Sequence, residues 1–260
     1  MKSMLAPLLV LAVALAVPAA EPPATLLKAD GSLDVDKVVR HFENLYRSDT
    51  SVALMRLTVT RPRRERTLRM KSWTQGEERA LIQILDPPRE KGTATLKVEK
   101  NLWNYLPRIR RTIRIPPSMM LSPWMGSDFT NDDLVRESSY SEDYDYELAG
   151  KSTDPEGWVV RFKAKPGVVG LWSRFDLVVS PDGRVPLVSK WYNRKEKLSR
   201  TLAWDLILVL DGKRLPTRMT LVPVDRKDQG YKTTMVYEEI DFDVELPPGT
   251  FSLSRLERQH

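Results

Sequence analysis

From Ser51 onward the apolar residues of this chain recur at every second position. Ala53, Met55, Leu57 and Val59 alternate with Val52, Leu54, Arg56 and Thr58, and the same period returns in Leu68-Met70, Ala80-Ile82-Ile84 and Ala94-Leu96-Val98. A period of two places successive side chains on opposite faces of a β-strand. The runs break at Arg61-Pro62-Arg63, Gln75-Gly76-Glu77 and Asp86-Pro87-Pro88, which is turn chemistry rather than linker chemistry. The second half repeats the pattern in Trp158-Val160-Phe162, Leu171 to Val179, Val185 to Tyr192, Leu198 to Leu210, Leu215 to Val222 and Tyr231 to Ile240. Ser180-Pro181-Asp182-Gly183 and Asp211-Gly212-Lys213 are hairpin signals, and short connections without intervening helices call for one antiparallel sheet.

Helical period is scarce. Asp34 can cap a helix whose apolar residues Val35, Val38, Val39, Phe42, Leu45 and Tyr46 share one face, with Asp36, Lys37, Arg40 and Glu43 on the other. A shorter candidate runs from Asn131 to Arg136. About eleven strands against so little helix give a mainly β fold. The expected form is a single curved antiparallel sheet rolled into an incomplete, half-open barrel, its concave face covered by the N-terminal helix and by short helices or loop. Along Leu198-Arg200-Leu202-Trp204-Leu206-Leu208-Leu210 one strand face is nearly all apolar, more than those helices can cover, which leaves surface for a ligand or a lid.

Lys2 precedes an apolar run from Met4 to Val17 that closes on Pro18-Ala19-Ala20. This reads as a secretory signal peptide over residues 1–20, cleaved after Ala19 or Ala20, because a spanning helix needs roughly twenty apolar residues. Residues 21–33, opening on Glu21-Pro22-Pro23, are expected as a disordered lead-in, and 34–260 as one domain. The 260-residue sequence has no cysteine, so disulfides, thiol catalysis, thiolate metal sites and a lipidated cysteine are all excluded. The mature protein is expected to be soluble, periplasmic and monomeric. Its net charge is +6 with Lys2 included, and behind an export signal the anions within reach are phospholipid, lipopolysaccharide and acidic protein, not nucleic acid.

Catalytic and metal chemistry find little support. His41 and His260 are the only histidines and cannot build a histidine metal site. There is no Gly-x-Ser-x-Gly elbow, phosphate loop or dinucleotide fingerprint, and Ser127 beside Asp128 lacks a base. Asp132-Asp133, Asp143-x-Asp145 and Asp241-x-Asp243 lack the glycine-spaced loop of a calcium hand and read as solvated or capping carboxylates. Asp128 reads as a cap or a loop-fixing acceptor. No enzyme activity, cofactor or metal is expected.

The stretch from Gly92 to Leu134 carries the functional signal. Met119, Met120, Leu121, Trp124 and Met125 sit among Pro117, Ser118, Ser122, Pro123 and Gly126, so the cluster lies in a loop or broken helix. Such methionines either plug a core beneath a long connection or form an adaptable binding surface; the shortage of helix favours a lid. The candidates to line or gate an apolar cavity are Trp103, Tyr105, Met119, Met120, Leu121, Trp124, Met125 and Phe129. Two basic runs, Arg61 to Arg66 and Arg108 to Arg114, place Arg64, Arg66, Arg108, Arg110 and Arg114 as contacts for anionic headgroups or an acidic partner, with Arg108, Arg110 and Arg114 at alternating positions of a strand. The plainer reading is a hairpin edge kept from aggregating by charge.

Gly92-x-Ala94-x-Leu96, Trp103-x-Tyr105-x-Pro107, Met125-Gly126-Ser127-Asp128-Phe129 with Asp132-Asp133-Leu134, Leu215-Pro216-x-Arg218-Met219 and Pro247-Pro248-x-x-Phe251-x-Leu253 stand in an order that resembles the outer-membrane lipoprotein-sorting proteins of the LolA/LolB-like superfamily, in its broader LolA-like envelope branch. The resemblance implies an antiparallel half-barrel that carries acyl chains of lipoproteins or lipids across the periplasm without catalysis, between an inner-membrane exporter and an outer-membrane acceptor. The other class of function kept open is a periplasmic lipid-sensing or adaptor module for a membrane transporter or signalling partner. Carriage is energetically reasonable, since each buried methylene is worth about 0.8 kcal/mol.

Overall fold

In the computed structural model, which describes residues 25–136, 140–168, 170 and 172–257, the alternating runs pair into one antiparallel sheet of thirteen strands. The signal-peptide segment expected at 1–20 lies outside the described residues. The first six strands are β1 (Thr50–Arg61), β2 (Arg64–Gln75), β3 (Arg79–Asp86), β4 (Ala94–Val98), β5 (Asn101–Leu106) and β6 (Arg111–Arg114). After a long loop come β7 (Tyr144–Thr153), β8 (Glu156–Ala164), β9 (Trp172–Val179), β10 (Pro186–Asn193), β11 (Leu198–Leu210), β12 (Lys213–Pro223) and β13 (Lys232–Phe242). Their order across the sheet is β6-β5-β4-β3-β2-β1-β13-β12-β11-β10-β9-β8-β7, so β6 and β7 are the edges and the sheet does not close into a barrel.

The strands exceed the expected eleven because the edges carry weak apolar alternation. Most side chains of β7 are exposed, as are those of β6, and a strand with little to bury leaves little period to read. The Arg108–Arg114 run also differs from expectation. Pro107 to Arg110 make the turn between β5 and β6, with Arg110 at φ 49°, so only Arg114 of the three named arginines lies on a strand.

Helix α1 (Val35–Glu43) is capped by Asp34, whose Oδ1 accepts from the Lys37 amide at 3.3 Å. It buries Val38 and Val39 against the β7–β10 half of the sheet, in a cluster with Val160, Phe162, Phe175, Leu177 and Trp191. Of the lead-in expected over 21–33, residues 21–24 lie outside the described residues, and Leu26, Leu27 and Leu33 pack in the same cluster. Leu27 bridges Leu33, and Leu26 and Leu33 are buried. Gly183 makes room for them: a Cβ there would sit 3.0 Å from Leu26 and Leu33 side-chain atoms, and its φ of +76° suits glycine. In the β11–β12 turn at the same end of the sheet, Asp211 and Gly212 both have positive φ, as a two-residue turn between right-twisted strands requires.

The inward row expected of β1 is the inward row observed: Ala53, Met55, Leu57 and Val59 are all buried in the central cluster with Leu68, Met70, Leu215, Met219 and Leu221. Two short helices, α2 (Asn131–Arg136) and α3 (Tyr140–Asp143), precede β7, and on the other face of β3–β5 a smaller cluster of Leu81, Ala94, Leu96 and Tyr105 is covered by helix α4 (Leu253–Glu257) through Leu256. Glu238 is an extra residue in β13, because Leu54 pairs with Glu239 while Met55 pairs with Tyr237. Its carboxylate takes ion pairs from Arg56 and Arg69, tying three strands on that outer face.

Strand β11 divides in two. It pairs with β10 only as far as Ala203, and Leu206, at φ 53°, is skipped in the pairing with β12, whose register is the same on either side of it. Beyond that point Leu206, Ile207, Leu208 and Val209 are exposed, up to 65% at Val209. The expected continuous inner face from Leu198 to Leu210 is therefore broken after Trp204, and only Leu210 at its end returns to pack against the central cluster.

Candidate functional site

The inner face of the sheet and the segments crossing it enclose a cavity of about 180 Å³. Its roof comes from Phe42, Leu45 and Tyr46 at and after α1, from Trp124 and Phe129 of the long loop, and from Leu134 of helix α2 (Asn131–Arg136). One side of the floor is apolar, with Met55, Leu202, Met219, Met235, Phe175 and Trp191; the other is polar, with Ser72, Thr74, Thr95 and Lys97. The register accounts for this split. Ala53, Ser72, Ile82 and Thr95 are aligned partners on β1 to β4, and hydroxyls occupy the inward row there. The space is smaller than the roughly 300–1,000 Å³ of small-molecule pockets, so a long hydrocarbon enters only as the roof yields.

An ion pair fastens α2 to the floor. Arg200, 7% exposed on its side chain, donates from both terminal nitrogens to the two carboxylate oxygens of Asp133 on α2, each at 2.7 Å. Its guanidinium lies over Trp172 and Trp191, 4.2 and 4.7 Å from the ring centres. Trp191 stacks on Phe175 and Phe175 on Phe162, both at 4.2 Å, so a column of aromatic rings from β8 to β10 ends on the arginine. Asp133 also forms a reciprocal cap with Thr130: the Thr130 amide donates to its Oδ2 at 2.8 Å and its own amide donates to Thr130 Oγ1 at 3.1 Å. Burial pushes the Asp133 carboxyl up, but the Arg200 charge and these hydrogen bonds outweigh it and hold the group below its ordinary value. Asp133 is thus capping, as expected, but neither it nor the buried Asp132 is solvated.

The loop before α2 is wired to the sheet. Trp124, fully buried, donates from Nε1 to Thr95 Oγ1 at 3.1 Å, and Thr95 donates on to Asn104 Oδ1 at 2.8 Å. Asp128 fixes the loop, accepting from Arg61 Nη1 at 2.9 Å and Thr233 Oγ1 at 2.6 Å. Arg66 donates to the Met125 carbonyl.

The sequence-derived cavity candidates separate into three groups. Trp124 and Phe129 line the cavity. Met125 packs against the central cluster, while Met119 and Leu121 are exposed and Met120 is half-buried. Trp103 and Tyr105 belong to the opposite face: inward Leu102 lines the cavity, and alternation sends its neighbours under α4 beside Leu96 and Phe251. Residues not singled out from sequence supply most of the lining, among them Phe42, Tyr46, Arg200, Met219, Met235 and Tyr237. For Arg200 a signal existed, since it is the one charge in an otherwise apolar alternating row.

Of the arginine candidates, Arg64, Arg66 and Arg108 share a separate groove with Arg89, and the groove's other residues do not include Arg110 or Arg114. Arg114 donates instead to Asn101 Oδ1. Among the described residues no helix is long and apolar enough to cross a membrane, and no group of three or more His, Asp or Glu is placed to hold a metal ion.

A family model of uncharacterized proteins matches residues 76–258. No curated protein matches the chain. Solved structures do match. A DUF1329 family protein from Desulfovibrio piger is 22% identical with a TM-score of 0.77, over 90% of this chain and 100% of that one. A putative outer membrane lipoprotein-sorting protein domain from Vibrio parahaemolyticus is 21% identical with a TM-score of 0.73, over 86% of this chain and 97% of that one. A LolA superfamily protein from Nitrosomonas europaea is 19% identical with a TM-score of 0.70, over 85% and 98%. At these identities the likeness establishes the fold, which is LolA-like.

Proposed function

We infer that this chain, which belongs to the family of uncharacterized proteins matched over residues 76–258 and has a LolA-like fold, is a periplasmic carrier of acyl chains. It takes the chain of a lipoprotein or lipid into the cavity and delivers it toward the outer membrane, without catalysing a reaction. The observation that carries the reading is a hollow walled by methionine and aromatic side chains and roofed by a helix that the Arg200–Asp133 ion pair fastens.

The two-sided floor suits an amphiphile. Hydrocarbon lies against Met55, Met219, Met235 and Leu202, where adaptable thioethers accommodate different chains, and the polar end faces Ser72, Thr74 and Lys97. The Nε of Arg200, buried without an acceptor among the described residues, is a donor available to a cargo carbonyl, as is Trp172 Nε1. The neighbours titled as lipoprotein-sorting and LolA superfamily proteins support the same reading, as does the export signal read at residues 1–20.

Native mass spectrometry of the mature protein after incubation with phospholipid and with acylated peptide tests it. Mass additions equal to one acyl-bearing molecule support carriage. Protein that stays ligand-free with every acylated compound offered, and that is recovered empty from an envelope extract, refutes it.

A further inference from the structure

We propose that the groove at the β1–β2 end of the sheet is a second binding site, one that docks the protein on the anionic phosphates of a lipid surface. Arg64 and Arg66 at the start of β2, Arg89 and Glu90 from the β3–β4 connection, and Pro107, Arg108 and Ile109 from the β5–β6 turn line a groove of about 530 Å³. Antiparallel pairing brings these three connections to one end of the sheet. Four arginines thus converge against one glutamate.

The charges are not mutually satisfied. Arg66 is engaged, pairing with Glu90 at 3.6 Å and donating to the Met125 carbonyl. Among the described residues no carboxylate lies within ion-pair distance of Arg64, Arg89 or Arg108, and all three are exposed. Arginines gathered this closely raise a strong positive potential, and planar guanidinium groups match phosphate oxygens.

Apolar side chains select the class of partner. Ile109, between Arg108 and Arg110 at the tip of its turn, is 56% exposed, and Ile113 on β6 is 42% exposed. A soluble anion needs no apolar wedge beside its cations. A nucleic acid calls for aromatic stacking platforms, and the groove has no aromatic residue among its lining. Isoleucine at the centre of a basic ring fits the boundary between headgroups and acyl chains, where cations hold phosphates and an apolar tip is withdrawn from water. This surface is distinct from the cavity and does not depend on carriage.

Vesicle flotation tests the proposal, with neutral phosphatidylcholine vesicles set against vesicles containing phosphatidylglycerol. The native protein is expected to float with the anionic vesicles and not the neutral ones. The triple variant R64Q/R89Q/R108Q is expected to lose at least about tenfold in partitioning, the scale for removing several surface cations. The charge-matched variant K190Q/K195Q/K197Q, altered at exposed positions of β10 and the turn after it, is expected to float like the native protein. Ile109→Asn is expected to weaken flotation while millimolar inorganic phosphate leaves it unchanged. Equal losses in both triple variants, full competition by inorganic phosphate, retention on an acidic peptide but not on vesicles, or absence of flotation by the native protein would each overturn it.

Discussion

Arg200 and Asp133 meet as two parallel hydrogen bonds of 2.7 Å, one partner on the sheet and the other on the helix that roofs the cavity. The pair couples the position of the roof to the wall of aromatic rings behind Arg200.

Removing one partner of a buried ion pair leaves the other charge uncompensated, at a cost of about 3–5 kcal/mol. Asp133→Leu and Arg200→Met are each expected to lower the stability measured by urea unfolding by that order. Asp133→Leu combined with Arg200→Met is expected to cost clearly less than the sum of the single changes, because it leaves no orphaned charge. Additive losses would show that the two groups do not act as a pair.

Acid should weaken the protein in two stages. His41, half-buried and donating from Nε2 to the Arg184 carbonyl over 2.9 Å, is held below its ordinary 6.5 by burial, against a smaller upward pull from that carbonyl. Below pH 6.5 the unfolded chain therefore binds a proton that the folded chain refuses, and stability falls with pH until the folded group titrates. Asp133 lies below its ordinary 3.8, so its contribution is intact above that pH and is lost as pH falls through the depressed value. Glu238, where Arg69 and Arg56 outweigh the effect of burial, shares this second limb. Urea midpoints measured from pH 8 to pH 2.5 should show the first decline vanish in His41→Gln and the second become shallower in Asp133→Asn.

The long loop offers a sharper comparison between anchored and free side chains. Trp124→Ala removes a fully buried ring and its hydrogen bond to Thr95, for an expected loss of about 3–5 kcal/mol. Met119→Ser and Leu121→Ser change residues 48% and 46% exposed, and are expected to stay within about 0.5 kcal/mol of the native protein. Thermal and urea unfolding of the three variants check this directly. A large loss in Met119→Ser would mean that this part of the loop is a core plug.

These contrasts mark what the sequence discloses and what it hides. The period of two in Ala53, Met55, Leu57 and Val59 predicted both strand and inward face, because a half-buried strand writes its burial into its alternation. The edge strand β7 stayed hidden because exposed positions carry no such record. For Trp103 and Tyr105 the sequence did not tell the side, since β5 is covered on both faces, by α2 on one and by α4 on the other. Only the remote contact with Leu256 decides that question. Arg200 was visible as a charge inside an apolar row, yet its partner Asp133 lies 67 residues away, and the pairing depends on where the loop crosses the sheet.

Filling the hollow should separate binding from folding. Ile82 lies on β3 between Ser72 and Thr95, half-buried, with its side chain toward the free space. Tryptophan there extends into that space, so the overpacking cost of roughly 1–3 kcal/mol for a crowded core is largely avoided. Leu57, fully buried in the central cluster, has no such room, and Leu57→Trp is the control in which that cost applies in full. Ile82→Trp is expected to unfold within about 1 kcal/mol of the native protein while losing most of its uptake of a fluorescent fatty-acid probe, since the probe and the indole compete for one volume. The readouts are probe fluorescence on titration and the urea midpoint of the same preparation. Undiminished uptake by a folded Ile82→Trp variant would place the hydrocarbon elsewhere and remove the physical basis for carriage in this cavity.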